Sequence, residues 1–577
     1  MRLKLWHGLL ITCLLTLLVY YPTLHAGYNS VDDLKMINGI ENAGPFDLQK
    51  HFFPDSKRYY YRPLNSLTFY FDRDVWGTLP SFMHLENILL HLGCALLVYA
   101  ITRRLTRLFD HSEEIIPLFA ALFFALHPLT AESVCWISGR TDPLSGLFML
   151  LAVWLTLIGL QSRNLLASIG AGVALLLACL AKEVAVFILP GLFWMVVVYP
   201  EQGLSFIGRL KRQWFALTAP VLATVGYFVI RHLAIARDTG VSTALKGVAA
   251  GDYDLLNKIR VALKVYGFYF KKLLIPWPLN FGIIEVSGWY VLAGLLLAGV
   301  LFWLAVRRRV LEAFGLMAFC VLAPAVLVPF GKMAWTPLAE RYLYTPVALF
   351  APMASIYLFR GLARLRPLLQ RRGSQALILL LLVFFASTLH RAWIWQDNER
   401  LYRDTVAKSP NLPAAKAELA SALLRKGKME ESEAILVQMQ KDNPTSGYLV
   451  DDFNLAQRYA ARGDHAQARD LLIIHLDKKH KKYHDLLLAL VKINDARLGT
   501  VTEQEQREIQ RESLDWLLEA QRVRPNAFTR YRIGKYQLQL GDEEAALESF
   551  RAALEKAPAD AHYLQAAKTF IKKLEGS

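Results

Sequence analysis

Apolar runs recur through the first two thirds of this chain and stop near residue 390. The runs are 14 to 20 residues long, close to the length of about 20 that an α-helix needs to cross the hydrocarbon core of a bilayer. Beyond residue 391 the chain is charged, rich in Ala and Leu, and free of Cys. The sequence therefore predicts an all-α protein with a polytopic membrane domain at residues 1–395 and a soluble helical domain at 396–577.

About eleven runs qualify as membrane spans by this length criterion. They lie near residues 5–24, 82–101, 115–130, 143–160, 165–180, 184–198, 214–230, 289–306, 311–330, 343–359 and 376–389.

Basic clusters between these runs predict the topology. The formal net charge is +16, and much of the excess lies in short loops between the runs. If the N-terminus is cytoplasmic, the clusters at residues 103–107, 209–212, 307–309 and 360–372 all fall on the cytoplasmic side, as the positive-inside rule expects. An odd number of spans then places the C-terminal domain outside. Because the basic residues report topology and no nucleic-acid motif is present, we expect no nucleic-acid partner.

Residues 255–274 interrupt the pattern of spans. Lys258, Arg260, Lys264, Lys271 and Lys272 lie here among aliphatic and aromatic residues. Charges of this number are costly in a bilayer, so we interpret the segment as an amphipathic helix at the outer interface.

From about residue 410 the chain repeats in units of helical hairpins. Gly427, Gly463 and Gly541 each precede a polar turn, and small residues follow at the close-packing positions Ser432, Ala468 and Ala546. This is the tetratricopeptide (TPR) pattern, and three or four such units predict a short α-solenoid. A solenoid of this kind usually binds a protein or peptide, and a spacer with no partner is the alternative.

Four predicted outer loops each bring carboxylates and cations to the outer membrane boundary. Charged side chains beside lipid are costly, and they therefore mark candidate functional sites. The residues are Asp32, Asp33 and Arg62 in the first loop; His127, Glu132, Arg140 and Asp142 in the second; Lys182 and Glu183 in the third; and Lys332, Glu340 and Arg341 in the fourth.

This combination suits transfer of a sugar from a lipid-linked phosphate. Such a reaction needs a carboxylate as general base for the acceptor hydroxyl, and Asp32 or Asp33 fits that role. It also needs cations around the phosphate, where negative charge grows in the transition state. The candidates for this clamp are Arg62, Arg140, Lys182 and Arg341, with His127, Glu132, Asp142, Glu183, Lys332 and Glu340 as further active-site candidates. The alternative is that these charges set topology or cap helices.

Residues 60–65, 127–142, 182–183 and 340–346 resemble the membrane and TPR-containing O-mannosyltransferases and their bacterial relatives. The resemblance implies a GT-C type fold, an inverting glycosyltransferase and a polyprenyl-phosphate sugar donor. It also implies a catalytic acidic pair in the first outer loop, matched here by Asp32 and Asp33, with Asp32 the expected base. The tight loops and few repeats resemble the bacterial members, which implies a bacterial inner membrane with the TPR domain in the periplasm.

The implied partners are the lipid-linked donor, a protein or glycan acceptor recruited by the repeats, and membrane lipid. The cysteines show no metal-binding spacing, and the sequence leaves open whether a divalent ion such as Mg²⁺ or Mn²⁺ assists. Two other functions stay open: a non-enzymatic envelope-assembly scaffold and a transporter of lipid-linked sugars. Transporters usually carry internal repeats and charges near the bilayer midplane, whereas these charges cluster at one face.

Overall fold

A computed structural model gives the fold of the chain and divides it into two compact units, Met1–Leu412 and Pro413–Ser577. The residues that the structure describes are 4–41, 44–54, 60–108, 114–200, 206–234, 254–331, 336–442, 456, 459–460, 462–473, 476, 483–499, 501–555, 557, 561 and 563–575.

The first unit consists of α-helices joined by short 3₁₀ helices, and its described residues contain an isolated β-bridge between Ile283 and Leu338 but no strand. The helices are α1 (Leu5–Tyr20), α2 (Asp33–Glu41), α3 (Leu48–Phe52), α4 (Pro63–Trp76), α5 (Pro80–Leu108), α6 (Ile115–Ala125), α7 (Ala131–Cys135), α8 (Thr141–Ser162), α9 (Leu165–Ala181), α10 (Leu189–Val198), α11 (Phe206–Gln213), α12 (Phe215–Ala234), α13 (Leu255–Leu274), α14 (Tyr290–Arg307), α15 (Val310–Val321), α16 (Val328–Gly331), α17 (Tyr344–Ala363), α18 (Pro367–Trp395) and α19 (Asn398–Lys408). The 3₁₀ helices are Tyr21–His25, Pro128–Thr130, Ile137–Arg140, Glu183–Ile188, Ala323–Val326 and Glu340–Leu343.

Eight helical stretches among the described residues are long and apolar enough to cross a membrane. The count becomes nine if the pair Ile115–Ala125 and Pro128–Cys135, bent by 45°, forms one span. Two shorter apolar stretches, Leu165–Ala181 and Glu183–Val198, coincide with two further spans expected from the sequence. The predicted all-α membrane class is therefore confirmed, and the number of eleven spans stays a prediction.

Buried hydrogen bonds, two of them made by a histidine, join helices at the centre of the bundle. The ring of His91 on α5 lies within hydrogen-bond distance of the Tyr344 hydroxyl, at 2.8 Å, and of the Ala125 carbonyl oxygen, at 3.1 Å. The hydroxyl of Thr388 donates to the carbonyl oxygen of Leu126 at 2.7 Å. These bonds join α5, α6, α17 and α18, and they fix the positions of those helices relative to one another.

The charged helix α13 packs antiparallel to α14. Gly267 lies against the backbone of Tyr290, and Gly294 lies against the backbone of Leu263, with no room for a Cβ atom at either glycine. Helix α13 is not among the stretches that qualify as spans. Its location at the outer interface stays a prediction.

Helix α19 belongs to the first unit, although the sequence analysis placed its residues in the soluble domain. Its Leu401 and Tyr402 are buried, and the Tyr402 hydroxyl lies 2.8 Å from the Ser30 hydroxyl. The side-chain amide of Asn398 donates to the carbonyl oxygen of Tyr28 at 2.9 Å. The predicted domain assignment itself stays a prediction, because compact packing does not show which part folds alone.

The second unit is also helical in the residues described. Its helices are α20 (Pro413–Arg425), α21 (Met429–Asp442), α22 (His465–Ile473), α23 (Tyr483–Arg497), α24 (Glu503–Val523), α25 (Ala527–Gln539), α26 (Glu543–Glu555) and α27 (Leu564–Glu575).

The repeat glycines end helices as the TPR pattern predicts. Gly427, Gly463 and Gly541 adopt φ values of +75°, +89° and +86°, a conformation that L side chains rarely take. After each glycine, the next N–H donates to a carbonyl oxygen five residues earlier, a Schellman helix end; the pairs are Lys428 to Leu423, Asp464 to Tyr459, and Asp542 to Gln537. Gly534 lies against the ring of Phe550, where a larger side chain would collide. The predicted TPR-type hairpins are confirmed.

Two truncations test the place of α19. A chain ending at Leu412 keeps α19, and in detergent it should unfold at the same temperature as the membrane unit within the full-length chain. A chain ending at Asp397 loses the buried Leu401 and Tyr402 and the bonds to residues 28–30, and we expect it to be less stable by about 3 kcal/mol or more. Thermal unfolding of both truncations makes the comparison. Equal stability of the two would contradict the assignment of α19 to the membrane unit.

Candidate active site

A polar cavity of about 460 Å³ lies where the predicted outer loops meet. Its charged lining residues are Asp32, Arg62, Asp142, Lys182 and Arg341, and its aromatic lining residues are Tyr60, Trp136, Phe281 and Tyr342. These residues come from all four of the loops that the sequence analysis singled out.

Helix ends bring these side chains together. Arg62 directly precedes α4, and Asp142 lies in the first turn of α8. Lys182 follows the last residue of α9, and Arg341 lies in the 3₁₀ helix Glu340–Leu343. Because the apolar helices between these points pack side by side, their ends meet at one face of the bundle.

Asp33 is buried and anchors the first loop. One oxygen of its carboxylate accepts hydrogen bonds from the backbone N–H of Ser138 at 2.9 Å and from the Ser138 hydroxyl at 2.5 Å. The other oxygen accepts from the backbone N–H of Asn29 at 2.8 Å. Burial raises the pKa of Asp33 to about 6, although these donors lower it. Asp33 therefore holds the loop against the 3₁₀ helix Ile137–Arg140 and is not among the residues lining the cavity.

Asp32, the neighbouring carboxylate, is exposed and lines the cavity. Its side chain makes no hydrogen bond or ion pair with any part of the chain that the structure describes. A carboxylate that accepts protons from a ligand must keep its oxygens free, and of the acidic pair Asp32 meets that condition. The preference for Asp32 as the base and Asp33 as the positioning residue agrees with this geometry and stays a prediction.

Helix α19 holds the other side of the same loop. Through the bonds of Asn398 and Tyr402 described above, it contacts residues 28–30, just before Asp32. The backbone N–H of Ser30 also donates to the side-chain oxygen of Asn398 at 3.3 Å. The loop is therefore fixed from two directions, by α19 and by Ser138. Neither anchor was predicted from the sequence.

Three of the four predicted phosphate-binding cations line the cavity, and each is held by a carboxylate. Arg62 donates from Nε and Nη2 to the two oxygens of Glu183, at 2.8 and 2.6 Å. Within the described chain its Nη1 donates no hydrogen bond. Arg62 therefore keeps one donor for a ligand while Glu183 fixes its orientation.

The other two cations are paired in the same manner. Lys182 Nζ lies 2.5 Å from Asp142 Oδ1, and Arg341 Nη1 lies 2.5 Å from Glu132 Oε1. The predicted candidates Glu132, Asp142 and Glu183 thus position cations. Asp142 also lines the cavity, and its Oδ2 is buried without a hydrogen-bond partner among the described residues.

Arg140 was predicted to bind phosphate, and the structure places it elsewhere. Its side chain is completely buried and lies 2.6 Å from Asp72 and 2.9 Å from Glu86. Its Nε donates to the side-chain oxygen of Asn87 at 2.9 Å. With its donors occupied and no contact with the cavity, Arg140 holds the outer loop on α5. No role was predicted from the sequence for Asp72 or Glu86.

Two further candidates do not line the cavity. His127 is buried between Phe123 and Phe384, and its Nδ1 accepts a hydrogen bond from the N–H of Leu129, so it caps the 3₁₀ helix that follows. Glu340 is buried in an ion pair with Lys272 at 2.6 Å.

Lys332 lies outside the described residues. Metal dependence stays untested as well. Among the described residues no three His, Cys, Asp or Glu side chains lie close enough to hold a metal ion.

Comparison with known proteins identifies the relatives of the chain. No protein-family model matches it. The protein O-mannosyl-transferase F38B6.6 of Caenorhabditis elegans is 24% identical over 389 residues, covering 65% of this chain and 52% of that protein. Human protein O-mannosyl-transferase TMTC4 is 25% identical over 411 residues, covering 61% of this chain and 53% of that protein. The resemblance to this family is confirmed. The chain spans about half the length of these curated relatives.

A solved structure is also similar over much of the chain. It is the archaeal oligosaccharyltransferase AglB from Archaeoglobus fulgidus in complex with an inhibitory peptide and a dolichol-phosphate. The sequence identity is 13%, the TM-score is 0.34, and the match covers 72% of this chain and 59% of that one. A TM-score this low carries no argument, so the GT-C assignment stays a prediction.

Replacing Arg140 tests its structural role. Arg140→Met keeps the volume but leaves the buried Asp72 and the half-buried Glu86 without their cation. Breaking a buried ion pair typically costs about 3–5 kcal/mol, and thermal unfolding in detergent should show that loss. The control Arg62→Met removes a partly exposed cation and should cost much less stability. A stable Arg140→Met variant with impaired donor binding would contradict the structural role.

Proposed function

We propose that the chain is a membrane glycosyltransferase that moves a sugar from a polyprenyl-phosphate carrier to an acceptor hydroxyl. The observation that carries this proposal is the junction between two cavities. The polar cavity containing Asp32 shares Arg62, Asp142 and Lys182 with an apolar groove of about 160 Å³.

The groove suits the lipid part of such a donor. Its apolar lining residues are Met149, Val184, Phe187, Val321, Leu322, Pro324, Ala325, Leu327 and Val328. Residues of this kind accommodate an isoprenoid chain by burying its apolar surface. A donor with its tail in the groove has its phosphate at the junction and its sugar in the polar cavity.

The cations at the junction suit the phosphate. Arg62 Nη1 donates no hydrogen bond to any described residue, and Lys182 lines the same cavity. Hydrogen bonds from cations to phosphate are among the stronger ones in proteins. Because negative charge grows on the phosphate as the sugar leaves, these contacts strengthen in the transition state.

The acceptor reacts from the side of Asp32. The Asp32 carboxylate takes the proton of the acceptor hydroxyl while that oxygen bonds to the anomeric carbon of the sugar. The bond from this carbon to the phosphate oxygen breaks, and the polyprenyl phosphate leaves with the electron pair. A single displacement of this kind inverts the anomeric configuration. Asp142 Oδ2, which has no hydrogen-bond partner among the described residues, accepts a hydrogen bond from a sugar hydroxyl in this arrangement.

The relatives are protein O-mannosyl-transferases, which makes mannose and a protein hydroxyl the first substrates to test. We further propose that the TPR unit recruits the acceptor. The one-sided basic loops support an arrangement with the N-terminus in the cytoplasm and the cavity and repeats in the periplasm of a bacterial inner membrane. The scaffold and transporter alternatives do not explain why Asp32 lacks a partner among the described residues, nor why it lines the same cavity as three cations.

Isosteric substitution of the acidic pair tests the proposal. Asp32→Asn keeps the size but removes the proton acceptor, and general-base catalysis typically contributes about 10²–10⁴-fold. We therefore expect kcat for sugar transfer to fall by that factor with little change in donor KM. Asp33→Asn should weaken the hydrogen bonds to Ser138 that anchor the loop. We expect kcat to fall less in this variant than in Asp32→Asn.

The matched control is Asp74→Asn, since Asp74 is exposed in the same outer region and does not line the cavity. Transfer measured with a synthetic polyprenyl-phosphate mannose gives the comparison. Wild-type turnover in Asp32→Asn would exclude Asp32 as the base.

A further inference from the structure

A second large cavity, of about 610 Å³, lies at the opposite end of the helical bundle. Its lining includes Leu5 at the beginning of α1, Arg107 at the end of α5, and Gln161 at the end of α8. The polar cavity instead lies beyond the end of α1 and at the beginning of α8. The two cavities are therefore separated by the length of the transmembrane helices.

One face of α5 forms the long wall of this second cavity. Leu96, Tyr99, Arg103 and Arg107 line it at intervals of three and four residues, as one face of a helix requires. Arg104 joins them at the end of the helix. The wall is thus apolar toward the membrane interior and basic toward the membrane surface.

The three arginines that line the basic end of the cavity have different partners. Arg103 is neutralised by Glu114, which lies 2.6 Å away. Arg104 donates from Nε to the side-chain oxygen of Gln161, a neutral partner that orients the guanidinium. Arg107 has no hydrogen bond or ion pair with any described residue. The basic end therefore presents two arginines, Arg104 and Arg107, that no carboxylate of the described residues pairs with.

The opposite end of the same cavity is apolar. Leu9 of α1 and Trp154 of α8 face Leu96 of α5 across it. A ligand that fills the whole cavity must therefore carry negative charge at one end and hydrocarbon at the other. Free phosphate or a nucleotide would fill the basic end alone.

We propose that this cavity binds an anionic phospholipid, with its phosphate on Arg104 and Arg107 and an acyl chain against Leu9, Leu96 and Trp154. Basic pockets between transmembrane helices on the cytoplasmic side are a known mode of anionic headgroup binding. Arginines that only set topology need no fixed orientation. Arg371 and Arg372, in a basic cluster that the predicted topology puts on the same side, are exposed. The proposal does not depend on the proposed sugar transfer.

Lipid-dependent thermal stabilisation of the purified full-length chain tests the site. Phosphatidylglycerol, phosphatidylcholine with the same acyl chains, and glycerol 3-phosphate are titrated separately in detergent. We expect phosphatidylglycerol to raise the unfolding temperature of the wild type by several degrees, with little effect of the other two. Stabilisation by glycerol 3-phosphate at similar concentrations would overturn the assignment to a lipid.

The double variant Arg104→Gln, Arg107→Gln should bind phosphatidylglycerol about 10- to 30-fold more weakly. The charge-matched control Arg371→Gln, Arg372→Gln should behave as the wild type. Equal loss in both double variants would mean that the effect is a general surface charge and would overturn the proposal.

A second variant keeps the test decisive if the glutamine variant fails to fold. Ala100 lines the cavity on α5, and Ala100→Trp fills it without changing any charge. We expect this variant to lose the stabilisation by phosphatidylglycerol while its sugar transfer stays as in the wild type. Undiminished lipid stabilisation in Ala100→Trp would show that the lipid binds elsewhere.

Discussion

The arrangement of the candidate site depends on the buried carboxylate of Asp33. A carboxylate removed from water is costly unless donors surround it, and here Ser138 and Asn29 supply three hydrogen bonds. Those bonds require the first outer loop to lie against the 3₁₀ helix that precedes α8. Helix α19 holds the same loop through Asn398 and Tyr402. With its neighbour fixed in this way, Asp32 lines the cavity and has no hydrogen-bond or ion-pair partner in the part of the chain that the structure describes.

Ion pairs with carboxylates also fix the orientation of the cations. A lone cation at the membrane boundary would take several orientations, whereas Arg62, Lys182 and Arg341 each lie within 2.6 Å of a carboxylate oxygen. Preorganised charges need little rearrangement as the transition state forms, which is the main source of electrostatic catalysis. In the proposed reaction the carboxylates orient the clamp, the clamp holds the phosphate, and the apolar groove holds the lipid.

Local patterns in the sequence predicted the helices, the TPR hairpins and the loops that form the cavity, because apolar runs and repeat glycines act over short distances. These local patterns could not show which cations line the cavity and which are buried in structural ion pairs. Arg62 and Arg140 both lie in predicted outer loops, yet Arg140 is buried because Asp72 and Glu86 contact it from elsewhere in the chain. The acidic pair was predicted from the sequence. The different roles of Asp32 and Asp33, however, depend on Ser138, which is 105 residues away from Asp33. Only long-range contacts carry that information.

Cross-linking of the donor tests most directly whether the groove and the polar cavity form one donor site. A polyprenyl-phosphate analogue with a photoreactive group in its first isoprene units is irradiated with the purified chain, and the labelled peptides are mapped by mass spectrometry. Labelling is predicted near Val184, Phe187 and residues 321–328, and Arg62→Gln should reduce it. Labelling confined to other helices and unaffected by Arg62→Gln would contradict the account.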